Sequence, residues 1–188
     1  DNNTGITSQD AMDFIHYHEV LSTAKVTYAS FVCDYRPLKD EPWRVRLVVG
    51  GDKLTYEFDA GSPAASLLET KLLLNSIISD AHKGARFMSL DIKDFFLTTP
   101  MGTNKYMRIP TKYIPQDIFS KYNLTTKIHN DYIYCKIKKG MYGLKQAAVL
   151  AFNRLKENLA PHGYEPIPHT NGMWHHKTKK LNFVSVSM

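Results

Sequence analysis

Asp91 closes the short run Met88-Ser89-Leu90, and Ile92, Lys93, Asp94, Phe95 and Phe96 follow it directly. Carboxylates are the ligands that hard divalent cations take. Phosphoryl transfer from a nucleoside triphosphate needs such a cation to hold the phosphates and stabilise the attacking and leaving oxygens. An aspartate at a strand end, followed by a tight turn, supplies one metal ligand and exposes backbone amides to phosphate. The same aspartate can equally do no more than cap its turn, and spacing alone leaves both readings open. Phe96 is also two-sided: its bulk could exclude a 2′-hydroxyl beside a nucleotide sugar, or it could be a core aromatic.

A second segment, Lys138-Lys139-Gly140-Met141-Tyr142-Gly143-Leu144-Lys145-Gln146-Ala147, has the same character. Gly140 and Gly143 flank Met141 and Tyr142, which would let backbone approach a base or template; a strand-to-helix turn would need glycine as well. Lys145 at a helix start would add positive charge where helix amides favour an anion. Arg44 and Arg46 alternate with Val45, Leu47 and Val49, so they could grip phosphates or a template strand, or simply form the solvated face of a hairpin. The Asp91 and Tyr142 segments together read as half of a metal-dependent nucleotidyl-transfer site. The other half, two adjacent aspartates on a later hairpin, is missing. No Asp follows Asp131 and no Glu follows Glu165. His16, His18, His175 and His176 lack Cys or carboxylate partners at zinc spacing. No Ser-His-Asp, Cys-His, Walker-type or dinucleotide pattern occurs.

The elements that would position these residues follow from periodicity. Residues 1–12 are polar and expected to fray. Residues 25–34 read as a strand, 36–42 as a charged turn, 43–49 as the returning strand, and Gly50-Gly51-Asp52 as a second turn. Ser62 as N-cap and Pro63 as first helical residue would open a helix carrying Leu67, Leu68, Leu72, Leu74 and Ile78, with Gly84 as its stop. Residues 86–90 read as a buried strand ending at Asp91. Short strands are expected over 106–110 and 132–137, with one or two helical turns at 115–122 between them. A second long helix over 145–160 places Ala148, Phe152, Leu155 and Leu159 on one face. Met173-Trp174 and residues 181–186 read as two strands across a Lys-rich turn.

The chain of 188 residues is 43% hydrophobic and 22% charged, with a net charge of +6. That is enough for one domain with a sizeable core, and the basic balance suits an anionic partner such as nucleic acid. Cys33 and Cys135 both lie in apolar, strand-like surroundings and read as buried thiols. No apolar run is long enough to span a bilayer and no signal peptide is visible, so an intracellular setting is the expectation. The first residue is Asp1, which suggests a piece of a longer product.

The motifs carry a resemblance. Tyr35-Arg36-Pro37, residues 44–51 (RVRLVVGG), residues 71–76 (KLLLNS), residues 88–97 (MSLDIKDFFL), residues 106–110 (YMRIP), residues 139–147 (KGMYGLKQA) and residues 159–164 (LAPHGY) run in order along the chain. In this the chain resembles the reverse transcriptase of copia-type LTR retrotransposons, an RNA-directed DNA polymerase carried in a polyprotein. The resemblance covers roughly residues 25–183, and the Tyr-Gly-Leu-Lys-Gln-Ala run is its most specific part.

The resemblance implies an α+β fold: the fingers and part of the palm of a right-hand polymerase, an antiparallel sheet packed on two main helices. It implies one domain over 25–188, C-terminally truncated, behind an N-terminal extension over 1–24. The partners it implies are an RNA or DNA template with its primer, deoxynucleoside triphosphates and magnesium. Asp91 would be the catalytic aspartate and, with the Ile92 carbonyl, a metal ligand. Asp94 and Phe95 would meet the triphosphate through backbone amides, and Phe96 would gate the sugar. Tyr142, Gly143, Lys145 and Gln146 would flank nucleotide and template, while Arg44 or Arg46 would face triphosphate or template. Ala148 stands where the family often has proline. The family's adjacent aspartates are absent, so this chain alone is expected to be inactive. The alternative is a degenerate remnant acting at most as a nucleic-acid-binding or interaction module.

Overall fold

The computed structural model describes residues 10–57, 64–179 and 182–184. In chain order its strands and α-helices are β1 (Met12–Ile15), β2 (Val26–Tyr35), β3 (Trp43–Val49), α1 (Leu67–Ser79), β4 (Pro100–Pro110), α2 (Gln116–Lys121), β5 (Tyr132–Lys139), α3 (Ala147–Leu159), β6 (Tyr164–Pro166), β7 (Met173–His176) and β8 (Asn182–Val184). The fold is mixed α/β. The chain divides into two compact units, Asp1–Asp59 with Phe96–Ala147 and Ala60–Phe95 with Ala148–Met188.

The first unit is built on a five-stranded sheet in the order β1-β5-β4-β2-β3. The β2–β3 hairpin forms as its alternation requires, with Tyr35 opposite Trp43 and Ala29 opposite Val49. The charged connection closes through the Arg36 amide, which donates to the Pro42 carbonyl at 2.6 Å. The expectation of an antiparallel sheet needs one correction: β2 pairs with β4 in parallel, Val26 opposite Tyr106. The long excursion between β3 and β4 allows it, because a parallel pair needs a crossover rather than a tight turn. Met12, the last residue of the stretch expected to fray, instead opens β1, which pairs with β5, Met12 opposite Ile137. Its Met12 and Ile15 are buried. That strand is too short to announce itself by alternation, and the partner strand defines it.

Alternation along β5 sorts its side chains into two clusters. Ile133, Cys135 and Ile137 join Met107 and Ile109 in the main core, while Tyr134 packs with Ile15 and Tyr106 on the other side. Cys135 is fully buried and burial pushes its thiol far up, whereas Cys33 on β2 is exposed, against the expectation of two buried thiols. β2 carries Cys33 near the hairpin tip, where Phe31, Val32 and Tyr35 are exposed as well. Reactivity follows access and thiolate character. A thiol reagent should therefore modify only Cys33 in the native protein and reach Cys135 after denaturation; labelling of both in the native state would contradict this burial.

In the second unit, α1 begins at Leu67 behind Ser66. The Glu69 amide donates to Ser66 Oγ at 3.2 Å and the Ser66 amide to Glu69 Oε2 at 2.6 Å, a reciprocal capping box. This replaces the expected cap: Ser62 and Pro63 lie outside the described residues. α1 ends at Ser79, short of the expected stop at Gly84, which at φ +85° instead ends the 3₁₀ turn that follows. None of α1's residues is buried, despite their helical spacing. Trp174 of β7 is completely buried and stacks obliquely on Phe152 of α3 at 5.2 Å. β6, β7 and β8 pair antiparallel, with Tyr164 opposite His176 and Met173 opposite Val184. The pairing of β7 with β8 carries the expected hairpin; Leu181 and residues 185–186 lie outside the described residues.

Candidate nucleic-acid interface

The residues nearest a working arrangement lie in the first unit, on β3 and the turn that follows β5. Val49 ends β3 and its amide donates to the Tyr142 carbonyl at 2.8 Å. Gly143 follows at φ +91°, and a Cβ there would stand 2.0 Å from the Val49 carbonyl oxygen. Gly51 is pressed from the other side, since its Cβ would lie 1.9 Å from the Gly143 carbonyl oxygen. Both glycines are thus demanded by backbone passing backbone. Gly140 donates to the Thr99 carbonyl at 2.8 Å, and its own Cβ would come within 2.9 Å of the Phe96 carbonyl oxygen. The turn is therefore fixed between the end of β3 and the chain at Phe96–Thr99.

This fixing holds Tyr142 in place. Its ring meets Phe96 edge-on, centroids 5.5 Å apart at 89°, and the Arg46 guanidinium carbon lies 5.8 Å from its centroid. Edge-to-face rings and a cation on a ring are both attractive geometries of the aromatic quadrupole. Arg46, Tyr142 and Phe96, drawn from three separate motifs, form one continuous series. Phe96 is half-buried and packs on the main core.

Arg46 also makes an ion pair with Asp34 of β2. Asp34 lies opposite Arg44 in the hairpin register. The hydrogen bond from Arg46 holds the Asp34 carboxyl below its usual range, opposing partial desolvation, and the charges of Arg46, Arg44 and Arg36 act in the same direction. Because the folded value is depressed, whatever the pair adds to stability is present above the ordinary aspartate pKa of about 3.9 and is lost as pH falls through the folded value. The Nε atoms of Arg36 and Arg46 are buried without an acceptor among the described residues. An unsatisfied buried donor is costly; a further anion would meet the exposed part of the Arg46 side chain instead.

Asp34 and Arg36 do not stand out in the sequence as site residues. The hairpin reading holds the signal, because a turn at 36–42 sets Asp34 across from Arg44.

The remaining expected residues are placed differently. Lys145 is exposed in the turn before α3, and Gln146 is buried at 4% exposure. Asp91 and Ile92 lie exposed in a segment of no regular structure. The buried strand expected over 86–90 does not form: Phe87 and Met88 are 69% and 81% exposed and no strand pairs with them. Weak alternation is insufficient without a partner strand. Asp94 and Phe95 are half-buried in the turn spanning 93–98, with Asp94 at a left-handed φ of +55°. Asp91, Ile92, Asp94 and Phe95 belong to the second unit, and Phe96 to the first.

Magnesium in a nucleotidyl-transfer site calls for converging carboxylates. Among the described residues no group of three or more His, Cys, Asp or Glu side chains converges. The carboxylates among the described residues form no such group. No helix among the described residues is long and apolar enough to cross a membrane. No protein-family model, curated protein or solved structure matches this chain.

Proposed function

We propose that the chain is the fingers and part of the palm of a copia-type reverse transcriptase, and that these 188 residues bind template–primer and nucleotide phosphates without extending DNA. The observation that most supports the reading is the series Arg46–Tyr142–Phe96. Guanidinium beside aromatic faces is what a phosphate-linked chain of bases and sugars needs: charge for the backbone and π-surface for the rings. Arg44 and Arg46 contact phosphates. Tyr142 and Phe96 offer faces to base or sugar, Gly143 brings backbone close to template, and Lys145 adds charge. Gln146 is buried and supports the turn rather than touching ligand.

In the same reading Asp91 is the first catalytic aspartate, with Ile92, Asp94 and Phe95 beside the triphosphate. Its partner carboxylates are not among these residues, which contain no two adjacent aspartates. The competing reading is a degenerate remnant that only binds nucleic acid.

Primer extension on an RNA template with magnesium tests the catalytic half. The 188-residue chain should incorporate no more nucleotide than its Asp91→Ala variant. Incorporation above that control would show a complete site and overturn the proposed inactivity.

A further inference from the structure

Asp34 already occupies the Arg46 guanidinium that the proposed function assigns to phosphate. Resting on that assignment, we infer that Asp34 is an internal competitor that sets which anions this face accepts. Three arginines, Arg36, Arg44 and Arg46, act on this single carboxylate. The Arg46 and Asp34 side chains keep 35% and 32% of their exposure, so an incoming anion can reach the pair.

A lone phosphate group brings one set of acceptor oxygens. It must displace a carboxylate tethered to the neighbouring strand, and tethering gives that carboxylate a high effective concentration. Consecutive phosphates behave differently. One group takes Arg46 from Asp34 while the next meets Arg36 or Arg44, so two charge-assisted contacts replace one. Asp34 therefore excludes single phosphates and admits linked ones. The linked phosphates come either from a triphosphate or from a nucleic-acid backbone; the chemistry is shared, and separate probes distinguish the sources.

The experiment measures binding of inorganic tripolyphosphate, inorganic orthophosphate and a short labelled single-stranded DNA to the whole chain at low salt. It compares wild type, Asp34→Asn, Asp40→Asn, Arg46→Ala and the double variant Asp34→Asn/Arg46→Ala. Asp40 sits exposed in the hairpin turn, so its variant makes the same change in net charge away from Arg46.

Asp34→Asn should tighten DNA or tripolyphosphate about threefold to fivefold, beyond any gain in Asp40→Asn, and should raise orthophosphate binding from undetectable. The gain should vanish in the double variant. Tightening of DNA alone would identify the backbone as the source; tightening of tripolyphosphate alone would identify the triphosphate.

If wild type binds DNA but Asp34→Asn gains no more than Asp40→Asn, the competitor role is overturned while the nucleic-acid reading stands. If wild type and variants bind none of the probes, both are overturned. A measurement on wild type needs no variant to fold: the ¹³C resonance of the Asp34 carboxyl should move on adding tripolyphosphate or DNA, and much less with orthophosphate. An unmoved resonance at saturation would also overturn the inference.

Discussion

Gly143→Ala should cost the sheet unit about 3–5 kcal/mol, enough to unfold a marginal domain. Two effects add at this position. A left-handed backbone disfavours any Cβ by about 1–2 kcal/mol, and here φ is +91°. The new Cβ would also stand 2.0 Å from the Val49 carbonyl oxygen and 2.8 Å from Val48 Cγ1. The first of these is backbone in a paired strand and cannot rotate away. Relief would require breaking the 2.8 Å bond between the Val49 amide and the Tyr142 carbonyl, which joins β3 to the turn.

Two other glycines separate the contributions. Gly84→Ala meets nothing within 4 Å but keeps a φ of +85°, so it should lose only the conformational term. Gly102→Ala also meets nothing within 4 Å and has no such φ, so it should fall within about 0.5 kcal/mol of wild type. Urea unfolding followed by circular dichroism gives the ranking. A Gly143→Ala protein as stable as Gly102→Ala would refute the close backbone packing of β3 on the turn.

The second large effect is expected at Ile133, which is 0% exposed near the start of β5. It lies opposite Ile109 of β4 and belongs to the main core cluster with Met107 and Leu124, so its removal leaves a gap inside packed protein. Ile133→Ala should therefore cost about 2–5 kcal/mol, the lost transfer energy plus the cavity left behind. Ile133→Val removes one methylene and should cost about 0.5–1.5 kcal/mol. If both variants unfold at the wild-type urea midpoint, this strand is not the core strand its burial indicates.

The hairpin and β5 are legible in the sequence because their alternation is strict. Arg44 and Arg46 share a face, and Ile133, Cys135 and Ile137 share another, as period two requires. Strand β1 is not legible: four residues carry too little pattern, and their role depends on β5, far along the chain. Residues 86–90 fail in the opposite way, since a run that alternates weakly still needs a partner strand and finds none among the described residues.

Within the candidate site, the glycine pair is readable as a residue type, but its reason is not. Gly51 and Gly143 are 92 positions apart and meet only in the folded chain. Tyr142 can be singled out from its motif, while its contacts with Arg46 and Phe96 cannot. Asp34 shows the same limit, for its charge is visible in the sequence and its hold on Arg46 depends on hairpin register.

Binding of an RNA–DNA primer–template across a salt titration tests most directly whether the Arg46–Tyr142–Phe96 series is a nucleic-acid face. Measurable affinity is expected at low salt, falling linearly on a log–log plot. Arg46→Ala should weaken binding and flatten the slope by about 0.7–0.9. Tyr142→Phe, which keeps the ring face, should bind like wild type, and Tyr142→Ala should lose about 1–3 kcal/mol. No binding at low salt, or binding that Arg46→Ala and Tyr142→Ala leave unchanged in folded protein, would contradict it.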